Sequence, residues 1–202
     1  MCIRDSNCLD WICSITNTSI TETLKNVEKY FNEPGLVSNS SFFLPYLSGE
    51  RTPHNDPHIR GSFHAMKTTT DATNLQYAVI EGVSFGILDG VNSILKVNDN
   101  FDKIFMVGGG SRSSFWIELI ASLLQRNLSV CDQSEYGAAL GVARLAMHVD
   151  NNIKDQNNII KEIKISKEYK PKIDSIDLLK KRYAIWKDLY SSNKKIASTL
   201  LA

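Results

Sequence analysis

Cysteine is scarce in this sequence, and its spacing is irregular. The cysteines are Cys2, Cys8, Cys13 and Cys131, without a CxxC pair or a paired histidine motif. Disulfide frameworks and structural zinc sites need denser and more regular spacing. Cys131 lies in an apolar stretch, where a free thiol acts as a small hydrophobic side chain. The cysteine content therefore argues against a disulfide-bonded secreted protein and predicts a reducing, cytoplasmic location.

The sequence also lacks an excess of charge of either sign. It has 23 basic and 22 acidic residues, a formal net charge of +1. Nucleic-acid and membrane-surface proteins concentrate basic residues instead. We find no apolar run long enough to span a bilayer, and the start, MCIRDSNC, lacks the hydrophobic core of a secretory signal. We therefore expect neither nucleic acid nor a membrane as a partner.

The composition is otherwise ordinary for a globular protein, with 43% hydrophobic and 22% charged residues among 202. Strands are predicted near 62–65, 103–107 and 128–131, and long helices near 73–96 and 114–126. Further helices are predicted at 8–16, 21–32 and 134–149, with Thr21 and Ser134 as N-caps of the last two, and a final helix follows a polar break at 150–158. This order predicts an α/β fold with a mixed sheet and helices on both faces. Residues 41–61 are interpreted as a long loop, because they contain three prolines.

The longest predicted helix carries a stripe of small residues, Ala78, Gly82, Gly86 and Gly90. Each glycine in a helix interior costs about 1 kcal/mol relative to alanine. The stripe therefore predicts that another element approaches this helix closely.

A run of three glycines, Gly108, Gly109 and Gly110, follows the predicted strand at 103–107. The turn lacks the lysine of phosphate-binding P-loops, and Ser113 stands where the dinucleotide fingerprint needs a third glycine. Without side chains, such a turn admits a flat base or a phosphate, and the following helix offers free N–H groups. From the turn alone, a ligand loop and a tight structural turn remain equally supported.

Four segments in sequence resemble the C-terminal domain of the FGGY carbohydrate kinases, most closely the xylulokinases. The resemblance covers roughly Asn7 to Val149, and Gly61 to Glu81 looks like the second signature of this family. Ala65 departs from that signature, which usually has glycine at this position. The four segments are FLPYLSGERTPHNDPHIRGSFHAM, AVIEGVSFGILDG, IFMVGGGSRSSFW and SEYGAALGVARLAM.

The resemblance implies a partial ribonuclease H-like domain of the actin-like ATPase type, truncated at its N-terminus. It implies ATP and Mg²⁺ as cofactors, with ATP bound by Gly108, Gly109, Gly110 and Ser113. The implied reaction is phosphorylation of a ketopentose, D-xylulose to D-xylulose 5-phosphate, and a homodimer is left open. Alternatives are a gluconate, ribulose or glycerol kinase of the same family, a non-catalytic nucleotide-binding module, or a structural domain with an empty turn.

The resemblance also places the catalytic aspartate of the family upstream of residue 7, so no catalytic residue and no metal ligand is expected here. Residues 1–6 are interpreted as an unmatched leader, 7–150 as the incomplete kinase domain, and 151–202 as a helical extension that packs back on it. The chain alone is not expected to phosphorylate a sugar.

The segment GERTPHNDPH contains the remaining candidates. Glu50 and Arg51 either line the cleft between the kinase domains or pair with each other to fix the loop. His54 and His58 are interpreted as solvated loop histidines rather than metal ligands, because a metal site needs further ligands.

Overall fold

The computed structural model describes residues 3–97, 103–132, 134–149 and 164–200. The helices are α1 (Ile3–Thr16), α2 (Ile20–Phe31), α3 (Pro34–Ser38), α4 (Ala72–Leu95), α5 (Ser114–Leu124), α6 (Gly137–Val149) and α7 (Ile173–Leu200). The strands are β1 (Phe42–Leu44), β2 (Ser62–His64), β3 (Phe105–Met106), β4 (Leu128–Cys131) and β5 (Ile165–Tyr169). This mixture of helices and strands confirms the α/β class.

The strands form two small sheets in the described part of the chain. β1 and β2 pair antiparallel, with Phe43 opposite Phe63. β3 pairs parallel with β4, and β4 pairs antiparallel with β5. The second sheet is therefore mixed, as predicted, and β3 forms one of its edges.

Helix α4 is the central element, and it packs against α1, α2, α5, α7 and β1. It begins after Asp71, whose carboxylate accepts a hydrogen bond from the backbone N–H of Asn74 at 2.8 Å. The core around it is contiguous, and its largest fully buried side chains include Trp116, Trp186, Tyr77, Phe85 and Ile80.

By length and composition, α4 could cross a membrane, which differs from the expectation that no apolar run is long enough. Its most apolar stretch is 56% buried inside the protein, and core helices pass the same test. The apolar character of α4 is accounted for by this burial.

The C-terminal helix α7 is joined to α4 and β1 by buried polar contacts. The guanidinium of Arg182 donates to both carboxylate oxygens of Glu81 at 2.7 Å. It also donates to the carbonyls of Ser40 and Ser41, and it lies 4.2 Å from the ring centroid of Phe42. Both charged groups are almost fully buried, so each offsets the cost of burying the other's charge.

Close approach of another element accounts for Gly82 in the glycine stripe, but not for Gly90. A Cβ at Gly82 would overlap the carbonyl oxygen of Phe43 in β1. A Cβ at Gly90 would meet no atom within 4 Å. The predicted close approach is therefore confirmed at Gly82 and wrong at Gly90.

Several local predictions differ from the structure. The N-cap of α2 is Ser19, not Thr21, because the Ser19 side chain accepts from the N–H of Glu22. Residues Ser134–Tyr136 form a 3₁₀ turn before α6. The segment interpreted as a long loop contains β1, and β5 had no prediction. The predicted polar break at 150–158 lies outside the described residues.

The departure from the family signature at Ala65 has a physical consequence. Its φ is +58°, in the left-handed region that favours glycine. Alanine at this position carries backbone strain that glycine would not.

Candidate functional site

The glycine turn faces a cavity of about 780 Å³, which we call the turn cavity. Ligand pockets commonly have volumes of roughly 300–1,000 Å³, so this space is large enough for a nucleotide. Three elements form its wall: α1, α2 and the segment from the glycine turn into α5. Its lining includes Leu9, Asp10, Thr21, Leu24, Lys25, Glu28, Gly109, Gly110, Arg112, Ser113 and Trp116.

The turn is held in place by hydrogen bonds behind it. Gly108 has φ of +85°, and its N–H donates to the carbonyl of Ser134 at 2.9 Å. The hydroxyl of Ser111 lies 2.8 Å from that of Ser134 and donates to the carbonyl of Gly108 at 2.7 Å. These contacts join the turn to the segment that precedes α6 and fix its conformation.

Gly109 has a different reason to be glycine. A Cβ at this position would meet no protein atom within 4 Å, so packing does not exclude a side chain there. Because Gly109 also lines the turn cavity, a Cβ would project into space that a ligand could occupy. This is the observation that best fits a flat ligand lying against the backbone.

Ser113 serves first as a helix cap. Its side chain accepts from the N–H of Trp116 at 3.2 Å and begins α5. A serine hydroxyl that accepts one hydrogen bond still has a proton to donate, so a ligand contact remains chemically open.

The structure thus places Gly109, Gly110 and Ser113 around one cavity, with Gly108 supporting the turn from behind. Sequence reasoning missed the opposite wall, formed by Leu9 and Asp10 of α1 and Leu24 and Lys25 of α2. No motif marks these residues, because only the packing of α1 and α2 brings them to the turn.

Glu50 and Arg51 lie at a second space of about 840 Å³, which we call the loop cavity. Gly86 and Gly90 of α4 and residues 105–107 of the β3 segment form other parts of its wall. The carboxylate of Glu50 also accepts from the N–H of His54 at 2.9 Å, within the loop itself. Glu50 therefore both lines a cavity and fixes the loop.

The histidines of this loop differ from one another. His58 is exposed, as predicted, whereas the imidazole of His54 packs against Tyr190 and approaches Asp89. The prediction of a solvated side chain is therefore wrong for His54. Among the described residues, no group of three His, Cys, Asp or Glu side chains is arranged to hold a metal ion.

The carboxylate of Asp56 accepts hydrogen bonds from the backbone of this segment and from Tyr190 of α7. Burial acts to raise the pKa of its carboxyl, but hydrogen bonds from Tyr190 and from the N–H groups of His58 and Ile59 outweigh burial and hold the pKa below its usual range. The ionised form is therefore the one that the fold stabilises.

The chain is similar to known carbohydrate kinases. The C-terminal domain of the FGGY family of carbohydrate kinases matches residues 4–149. The chain is 29% identical over 185 residues to a xylulose kinase of Escherichia coli K12, covering 92% of this chain and 38% of that protein. It is 30% identical over 165 residues to a xylulose kinase of Staphylococcus epidermidis, covering 81% of this chain and 33% of that protein.

A crystal structure described as a xyloylose kinase from Brucella ovis superposes with a TM-score of 0.80 at 30% identity. The match covers 95% of this chain and 38% of that one. The chain therefore spans well under half the length of the proteins it resembles.

Proposed function

Because the chain belongs to the FGGY family of carbohydrate kinases, we propose that it supplies the ATP-binding half of an enzyme that phosphorylates D-xylulose. The observation that carries this proposal is the turn cavity, where Gly109 leaves open space beside a fixed backbone turn. The choice of sugar rests on the xylulose kinases among the relatives.

The residues of the turn fit a nucleoside. Gly109 and Gly110 would let the base or ribose lie against the backbone, and the hydroxyl of Ser113 would donate to it. The hydrogen bonds between Ser111, Ser134 and Gly108 keep the turn in one conformation before the ligand arrives. Such preorganisation lowers the entropy that binding must overcome.

The chemistry supplied by bound Mg²⁺–ATP is transfer of its terminal phosphoryl group to a sugar hydroxyl. In such reactions, positioning and charge stabilisation provide most of the catalysis. The proposed contribution of this chain is to hold and orient the nucleotide. The proton acceptor for the sugar hydroxyl is proposed to lie outside residues 1–202, in agreement with the position expected from the resemblance. A cytoplasmic location and a homodimer stay predictions.

The proposal is tested by nucleotide binding to the 202-residue chain, measured by titration calorimetry with ATP, ADP and AMP. Gly109→Val should weaken binding about tenfold or more, because a branched side chain enters the turn cavity. Gly141→Val is the matched control, since it places the same side chain in open space on α6. A folded chain that binds no adenine nucleotide at millimolar concentration would contradict the proposal, and so would equal losses in both variants.

A further inference from the structure

His54 lies between two helices that are far apart in the sequence. Its ring stacks on that of Tyr190 of α7, with centroids 3.7 Å apart and planes inclined by 8°. Its Nε2 lies 3.3 Å from a carboxylate oxygen of Asp89 on α4. The side chains of His54 and Asp89 are only 24% and 18% exposed, so both contacts are partly shielded from water.

The segment around His54 is closed on itself. Glu50 and Asp56 exchange two backbone hydrogen bonds of 2.8 and 2.7 Å. The N–H of Asn55 donates to the carbonyl of Arg51 at 3.1 Å, and the N–H of His54 donates to the Glu50 carboxylate at 2.9 Å. We call residues 50–56 the cavity loop, because Glu50 and Arg51 line the loop cavity. Anything that fixes His54 therefore fixes the cavity loop as a unit.

Helix α7 holds this loop at a second point. The hydroxyl of Tyr190 donates to the Asp56 carboxylate at 3.0 Å, and the Lys194 ammonium lies 3.7 Å from the same oxygen. Tyr190 thus contacts the loop with its ring at His54 and with its hydroxyl at Asp56. One residue of α7 therefore contacts the cavity loop at two positions.

The carboxylate of Asp89 is itself oriented from α7. The hydroxyl of Tyr183 donates to Asp89 at 3.1 Å and accepts from the side-chain amide of Asn92 at 3.2 Å. Burial, with the neighbouring Asp89 charge, raises the pKa of Tyr183 to about 12, so this hydroxyl keeps its proton at neutral pH. Asp89 therefore presents its second oxygen to His54 in a fixed direction.

We propose that His54 is a positioning residue, which ties the cavity loop to α4 and α7 and so sets the place of Glu50 and Arg51 on the cavity wall. It acts through the loop, because His54 itself is not among the residues that line the loop cavity. The proposal is independent of nucleotide binding in the turn cavity, which lies in another part of the molecule.

The test uses limited trypsin digestion of the 202-residue chain, followed by mass spectrometry. The rate of cleavage at the Arg51–Thr52 bond reports opening of the cavity loop, and the rate at Lys67–Thr68 is the internal reference. His54→Ala and Asp89→Leu should each raise the ratio of these rates about three- to tenfold, as expected for loss of a local contact. His58→Ala is the control, because His58 is an exposed histidine in the adjoining segment, and its ratio should stay unchanged.

Two further measurements separate positioning from general stability. Asp89→Asn keeps a hydrogen-bond acceptor for the imidazole, so its ratio should stay close to that of the wild type and well below that of Asp89→Leu. In proton NMR spectra, the ring protons of His54 should be shifted upfield by Tyr190, and Tyr190→Leu should remove that shift. The proposal is overturned if both cleavage rates rise together, if His58→Ala matches His54→Ala, or if the His54 protons show no ring-current shift. Should His54→Ala not fold, Asp89→Leu and Asp89→Asn decide the same question.

Discussion

The two halves of α4 share one glycine spacing but have different surroundings. Around Gly82 the helix touches the backbone of β1 and pairs with α7 through Glu81. Around Gly90 it borders the loop cavity, and its contacts are made by side chains such as Asp89. A glycine in a helix can therefore mark either a close approach or an open space, and only the second leaves room for a ligand.

This contrast assigns different tasks to the two halves. The first half, where nearly every residue from Asn74 to Gly86 is buried, is expected to provide stability. Substitutions in the second half are expected to change the stability of the protein little and to affect the cavity loop instead.

The largest effect is expected at the buried ion pair of the first half. Arg182→Met should lower the free energy of unfolding by about 3–5 kcal/mol, because Glu81 would keep a buried charge without its partner. Urea denaturation measures this loss, and Lys181→Met is the exposed control on the same helix. A loss equal to that of the control would show that the pair contributes little.

Gly82→Ala is expected to be destabilising by about 1–3 kcal/mol. Alanine improves helix propensity by about 1 kcal/mol, but its Cβ overlaps the Phe43 carbonyl and forces β1 to move. Thermal and urea unfolding of this variant test the close approach directly. A stabilised variant would mean that β1 shifts away freely.

Acid should loosen the region beside the second half of α4 through Asp56. Its pKa is lowered in the folded protein, so ionised Asp56 contributes stability above its unfolded value of 3.8. That contribution is lost as pH falls from there through the folded pKa. The urea midpoint of the wild type should therefore fall more steeply below about pH 4 than that of Asp56→Asn. Parallel curves for the two proteins would argue against this role.

The smallest effect is expected at Gly90. Gly90→Ala should raise the free energy of unfolding by up to about 1 kcal/mol, since the new methyl group meets no atom and helix propensity improves. The same urea experiment measures it beside Gly82→Ala. Changes of opposite sign in the free energy of unfolding would support the contrast between the two halves of α4, and equal losses would contradict it.

The sequence predicts the elements that have a clear local pattern better than those that depend on distant partners. α4, α5 and β4 have strong hydrophobic periodicity, and the structure has them within a few residues of the predicted bounds. β1 and β5 are short, and they become strands only because partners distant in sequence pair with them. Local sequence carries no record of such partners.

The candidate site was predictable to a similar degree. The glycine turn is visible as a motif, so Gly109 and Ser113 could be named in advance. The wall formed by α1 and α2 could not, because it depends on how two helices pack against the turn. The prediction of a solvated His54 is wrong for the same reason, since Tyr190 lies 136 positions further along the chain.

The ion pair between Glu81 and Arg182 bears on how this molecule can be divided. The family match ends at residue 149, yet Arg182 neutralises a carboxylate buried in the middle of the matched region. Trp186 likewise donates from its indole N–H to the carbonyl of Phe43 at 2.8 Å. A protein that ended at residue 149 would expose β1 and leave the buried Glu81 carboxylate without its partner. The region that the family model matches is thus smaller than the unit that folds.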